Sequence, residues 1–264
     1  MTMALFGLVM ALLARTAAYH ERLHRRQHAA ATGARASRQA VDIIAAAVQG
    51  ASPADLVPDG SSVSVLDIMV PVATGIACAD SDILVVPSSP APGQPALMLW
   101  NTYVRAGDRA WVFGQADTAI GWESRTVVAV NVDAGACAAA LPSGTLALRL
   151  DAPASGGPLV ALRLSRRTRF NLYRSGTGDW YLGMAEWNAA TGRFNGVQPV
   201  AGPLRPRSTV AARTGLQFSL LDSAGDEIAF PLNSSARPAA IAITSRSADS
   251  SASVTRLVAL RGAR

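Results

Sequence analysis

The absence of proline from the first 52 residues constrains this chain more than any other feature. A proline inside a helix removes a backbone hydrogen bond and clashes with the preceding turn, so a segment without one can form a single unbroken helix. Residues 3–14, MALFGLVMALLA, are apolar apart from Gly7. From Arg15 to Gln49 alanine is abundant and Gly33 is the only weak point. Tyr19, Leu23, Ala30, Ala34, Val41, Ala45 and Val48 recur at spacings of three, four and seven, which builds one modest apolar stripe. Gly50 and Pro53 end the pattern. One rod over 3–49 would measure about 70 Å at a rise of 1.5 Å per residue.

The apolar run of 12 residues is shorter than the roughly 20 needed to cross a bilayer. Only Met1 and Thr2 precede it, so the basic segment of a signal peptide is not there. Residues 1–18 therefore read as part of a transmembrane helix whose first half lies upstream, with an interfacial anchor as the alternative. Residues 19–52 read as an amphipathic helix leading into the body. Arg15, Arg22, Arg25, Arg26, Arg35 and Arg38 come after the apolar segment. By the positive-inside rule they would place the body in the cytoplasm.

After Pro53 the period changes to two. SVSVLDIMV, DILVV, ALMLW, RTVVAVNV and TLALRL read as strands in a first half spanning 53–150. PSSPAPGQP (87–95) is a loop, because its prolines cannot sit inside a sheet. DAPASGGP (151–158) is the clearest internal boundary. The second half, 159–264, continues with TRFNLYR, GDWYLGMAEW, LQFSLLD, a DSAGDE turn into IAF, and the closing AAIAITSRS and SVTRLVALR. The expected class is α+β: a long N-terminal helix, apolar then amphipathic, carrying an antiparallel sheet body.

HERLH, residues 20–24, matches the H-E-x-x-H pattern of a zinc protease helix. There His20 and His24 would share a metal and Glu21 would act as general base. A zincin helix sits inside a catalytic domain with a strand before it, and the mostly apolar residues before His20 supply none. His28 would leave the metal on an open surface. Glu123 and Glu186, the downstream acidic candidates, lie on no recognisable helix. The flanking arginines repel a dication and make the segment a solvated helix face. No G-x-S-x-G elbow or phosphate-binding glycine loop occurs, and every histidine precedes the body, which excludes a Ser-His-Asp site within it. Asp80 with Asp82 and Asp226 with Glu227 fall in turns. Trp100, Trp111, Trp122, Trp180 and Trp187 either pack in a core or line a carbohydrate groove. No enzyme, cofactor, metal or small-molecule substrate is expected.

Composition narrows the setting. Half of the chain is apolar and only 16% is charged, against about a quarter in ordinary soluble domains, which favours a membrane-associated or secreted protein. The net charge of +6 is scattered over arginines without a basic run interleaved with aromatics, so nucleic acid is not an expected partner. Cys78 and Cys137 belong to no C-x-x-C pair. In an oxidising compartment they would close a loop of about 60 residues, worth around 4 kcal/mol. In a reducing one they would be two buried thiols.

An apolar helix running into an amphipathic one, then a β-rich body with a cysteine pair, resembles type IV pilins and type II secretion pseudopilins. The stretches ARASRQAVDIIAAAVQGA (34–51), DSDILVV (80–86), LYRSGTGDWYLGMAEWNAATGRFNGVQPVAGPL (172–204) and GLQFSLLDSAGDE (215–227), with the closing VTRLVALR, resemble the larger, PilW-like minor pilins. Family members begin with a basic leader ending in Gly and carry Glu five positions on; Met1 to Leu5 contain neither. The resemblance implies a pilin-like globular domain and a non-catalytic subunit of a pilus or secretion pseudopilus. Leu5, Phe6, Leu8, Val9, Leu12 and Leu13 would hold the subunit as a single-pass protein in a bacterial inner membrane and then pack against other pilin subunits. The body would be displayed in the periplasm or on a filament, pinned by Cys78–Cys137. An anchored periplasmic β domain binding a glycan or other ligand is the alternative, and a zinc metalloprotease using His20, Glu21 and His24 the remote one.

Overall fold

A computed structural model describes residues 2–87, 98–116, 119–133, 137, 145–154, 159–210, 213–232, 236–248 and 253–262, with side chains from residue 10 onward except 114–120. The proline-rich loop at 87–95 thus falls almost wholly outside the described residues.

The helix α1 runs unbroken over Thr2–Val48. Its two ends have different surroundings. Residues 10–28 are exposed on every face, whereas Ala36, Ala40, Val41, Ile44, Ala45 and Val48 are buried against the body. The first buried residue of the described helix is Gly33, where a Cβ would lie 2.6 Å from Ser247 Oγ. The glycine lets the helix meet the body closely there, which offsets its low helix propensity.

The strands are β1 (Val65–Asp80), β2 (Ile83–Pro87), β3 (Met98–Trp100), β4 (Arg109–Ala116), β5 (Ala119–Val130), β6 (Thr145–Leu150) and β7 (Val160–Arg174). There follow β8 (Trp180–Asn188), β9 (Arg193–Phe194), β10 (Gln198–Leu204), β11 (Leu216–Leu221), β12 (Glu227–Ile228), β13 (Ala240–Arg246) and β14 (Ser253–Ala259). Neighbouring strands pair antiparallel throughout the described residues.

The expected pilin-like sheet body is overturned. Going round in the order β1, β7, β4, β5, β6, β2, each strand pairs with the next and β2 pairs back to β1, so six strands close into a barrel. Among the described residues the chain is mostly β with one long helix, not a helix laid on a pilin-type sheet. Closure comes from β1 and β7. Leu162 of β7 pairs with Gly75 on one edge and Val112 on the other, while Cys78 to Asp80 of β1 pair with β2. Alternation in the sequence identifies strands but does not say which strand closes on which. Val72, Ala77, Leu84, Val112, Val127, Leu148, Leu162 and Leu164 fill the interior, as expected of a barrel this narrow.

Beyond the barrel, the second half of β7 leaves β4 and pairs with β8, which carries β10 on its far side. A register shift between Pro71 and Ala73 marks the corresponding point on β1. A separate sheet, in the order β12, β11, β13, β14, faces this flank. The packed half of α1 lies between them: Ile44, Val41 and Val48 share one core with Leu66, Ile68, Phe170 and Leu182 of the flank and Leu216, Phe218, Ile241 and Ile243 of the second sheet. Cys78 and Cys137 form a disulfide with a Cα–Cα distance of 5.7 Å, packed with Val85 and Ala147.

Among the described residues no helix is long and apolar enough to cross a membrane. The single-pass span expected over 1–18 is therefore not supported by the described helix.

Candidate functional site

The HERLH residues lie on the projecting half of α1. His20, Glu21, His24 and His28 are exposed, Glu21 is held by Arg25 one turn on, and the His24 and His28 rings lie 5.2 Å apart. Among the described residues no group of three or more His, Cys, Asp or Glu side chains could hold a metal. Glu186 belongs to a partly buried charge cluster, taking Arg105 at 2.8 Å and Arg166 at 3.2 Å, and Glu123 pairs with Arg125 at 2.6 Å. Asp80 and Asp82 stand beside the turn into β2, and Asp222 to Asp226 close the β11–β12 hairpin around Gly225 at φ +90°.

The six assembly-helix positions divide by location. Leu5, Phe6, Leu8 and Val9 are on α1, but their side chains lie outside the described residues. Leu12 and Leu13 are described, exposed and untouched by the body; Leu13 is 60% exposed. Met10, Tyr19 and Leu23 extend the same bare surface.

The second feature is a cleft of about 870 Å³ on the outer face of the barrel. Because Ala110 and Val112 of β4 point inward, the alternate residues Trp111 and Phe113 point out. Register carries that row across the sheet. Trp111 pairs with Arg163 of β7 and Ser124 of β5, and Arg163 pairs with Thr74 of β1, which faces Leu99 of β3. One pair further along, Phe113 faces Ala161 and Trp122, and Ala161 faces Ile76. Phe113 and Trp122 meet edge to face at 5.4 Å. Trp122 remains 51% exposed, and Leu99, Ile76 and Phe113 are also open to solvent.

One wall is the segment leaving α1, from Gln49 to Asp55. Asp55 fixes it: its carboxylate accepts from Ser52 N at 2.6 Å, Ser52 Oγ at 2.7 Å and Arg163 at 2.7 Å. Arg261 stands at the rim, its backbone N–H held by Ala51 O at 2.7 Å. Its guanidinium has no partner among the described residues. Asn101 donates to Pro71 O at 3.1 Å. Trp111 Nε1 is buried without an acceptor among the described residues.

The five tryptophans thus divide by role. Trp100 donates to Pro87 O and packs against the barrel core; Trp187 lies under the Arg167 guanidinium and against Phe194; Trp180 starts β8; Trp111 and Trp122 line the cleft. The residues around those two, Leu99, Asn101, Asp55, Arg163 and Arg261, are not apparent from the sequence. They are scattered from Asp55 to Arg261 along the chain; strand register brings Leu99 and Arg163 to the tryptophans, while Asp55 arrives by its bond to Arg163 and Arg261 by its bond to Ala51. The alternation in RAWVFGQA is the one local signal, since it puts Trp111 and Phe113 on the same side.

Comparison with known proteins finds no family model, no curated protein and no solved structure that matches the chain.

Proposed function

We propose that the chain is a non-catalytic assembly subunit that docks through the projecting half of α1 and displays the barrel body from it. The supporting observation is the contrast within one helix: residues 33–48 bury an apolar stripe in the body, whereas 10–28 are bare and include Met10, Leu12, Leu13, Tyr19 and Leu23. An isolated helical arm gains little stability from its own hydrogen bonds and is normally held by packing of its apolar face. Burying a leucine is worth about 1.5–3 kcal/mol, so a few such residues per subunit suffice to favour lateral packing of arms. Other copies of the arm, or equivalent helices of partner subunits, are the occupants proposed. The type IV pilus or type II secretion pseudopilus, with storage in an inner membrane before assembly, is the machine that the sequence resemblance suggests. The barrel lends that particular choice no support, so the proposal rests on the arm.

A photo-crosslinking residue at Leu13 in the full chain tests this in cells. The expected product is a covalent adduct with a second protein chain, abolished when the neighbouring exposed residues Met10 and Leu12 are both changed to Glu while the probe stays at position 13. Adducts with lipid alone would replace assembly with simple membrane anchoring.

A further inference from the structure

We infer that the cleft on the outer face of the barrel is a binding site for an acidic oligosaccharide, a function separate from the assembly reading and sharing none of its residues. Its size lies within the roughly 300–1,000 Å³ typical of small-molecule clefts, at about 870 Å³. Its floor is aromatic and open. Trp122 presents half its surface to solvent with Phe113 against its edge, beside the half-buried Trp111. A soluble domain does not ordinarily leave a tryptophan, a phenylalanine, a leucine and an isoleucine side by side on one sheet face without a use for them. The C–H face of a pyranose ring is apolar and flat and fits such a platform, while its hydroxyls need donors and acceptors at the margin. Gln49, Ser52 and Asn101 supply those.

The charge of the rim sets the ligand class. The lining has two guanidiniums, Arg163 and Arg261, and one carboxylate, Asp55. Asp55 is already occupied by Ser52 and by one nitrogen of Arg163. Among the described residues the rest of the Arg163 fork and the Arg261 guanidinium have no other partner, and a guanidinium fork matches a carboxylate in two parallel hydrogen bonds. A sugar carrying carboxylates therefore fits better than a neutral one. Single-stranded nucleic acid also combines stacking with negative charge, but it needs a continuous basic track along its backbone. Two arginines at one rim do not make that track.

The test is titration of the full chain with trigalacturonate, read by tryptophan fluorescence and calorimetry, with maltotriose and an oligothymidylate as competitors. Saturable binding is expected, with trigalacturonate preferred over maltotriose and the preference shrinking as salt is raised. Trp122→Ala should weaken binding at least about tenfold, and Arg261→Ala should remove most of the preference for the charged sugar. Both side chains are exposed, so circular dichroism and melting temperature should match the parent. No saturable binding at millimolar sugar, or binding indifferent to Trp122→Ala, would overturn the site. Equal binding of maltotriose would overturn the acidic class, and tighter binding of the oligothymidylate would make it a nucleic-acid surface. None of these results depends on the Leu13 crosslink, so the two readings can fail separately.

Discussion

Asp108→Ala will lower the stability of the fold by about 3–5 kcal/mol, as expected when a buried charge loses its partner. Asp108 is 2% exposed and Arg166 4% exposed. The carboxylate takes Arg166 Nε at 2.7 Å and Arg166 Nη2 at 2.8 Å, and it also accepts from Arg105 N at 2.8 Å. Burial works against the Arg166 charge, yet the hydrogen bonds and attraction from Asp108, with a smaller part from Glu186, hold its pKa above the ordinary guanidinium value. Without Asp108, the partners left to Arg166 among the described residues are Glu186 at 3.2 Å, Tyr103 O at 2.8 Å and the Tyr103 ring at 5.7 Å. An arginine does not shed its proton to escape, so the charge stays and the fold carries the cost. Asp108→Asn combined with Arg166→Met should be less damaging than Asp108→Ala. No charge is then stranded, and the amide oxygen of the new side chain still offers Arg105 N an acceptor. Urea denaturation of parent, single and double variants measures both effects. A loss under about 1 kcal/mol for Asp108→Ala would make this pair no stronger than a surface ion pair.

That charge pair shows why much of the molecule was not legible in the sequence. Helix α1 was legible, because proline absence and a three-and-four spacing are local properties, and the helix ends within a residue or two of Gly50. TLALRL is a strand over the very residues where alternation occurs. Other strands were visible only in part. β7 begins at Val160, but the arginines of VALRLSRRTRF interrupt its apolar alternation. Their compensation is distant: Arg163 meets Asp55, Arg166 meets Asp108, and Arg167 and Arg169 both meet the fully buried Asp67. Arg166, at the inward position between Leu164 and Phe170, reads as a flaw until its partner is known. RAWVFGQA is absent from the expected strands, although it supplies Trp111 to the cleft and sets Phe113 beside it. Barrel closure was invisible for the same reason, since it depends on one strand, β1, pairing on two edges, with Val85 near Cys78 in sequence but Leu164 far from Ala73. The resemblance to pilins drew on the helix-then-strands layout, the cysteine pair and short stretches such as 172–204, and none of these carries information on which strands pair.

Ile44→Ala should cost about 2–5 kcal/mol, the range for deleting a buried aliphatic side chain from a core that cannot fully collapse around the gap. Ile44 is fully buried, and it sits in the packed half of α1 where the flank of the large sheet and the four-stranded sheet both reach the helix. Neither sheet can close the gap alone, because moving one toward it draws that sheet away from its other neighbours. The barrel has its own core, around Val112, Val127, Leu148 and Leu162, with no residue in common with the core around Ile44. Two separate cores could melt separately. They are joined, however, by β1 and β7, which pair with each other from Val65–Asn171 to Ala77–Val160. These two strands contribute Leu66, Ile68 and Phe170 to one core and Val72, Ala77, Leu162 and Leu164 to the other. Losing the first core would leave half of this ladder without support on one face. A single cooperative transition is therefore expected in the Ile44→Ala protein, with far-ultraviolet circular dichroism and tryptophan fluorescence shifting together to a lower urea midpoint at unchanged slope. Trp111 and Trp122 report on the barrel and Trp180 and Trp187 on the flank, so fluorescence samples both. If the circular dichroism moved while part of the fluorescence change stayed at the parent midpoint, the barrel would be an independent folding unit, and β1 and β7 would have to unpair over the half nearest the helix.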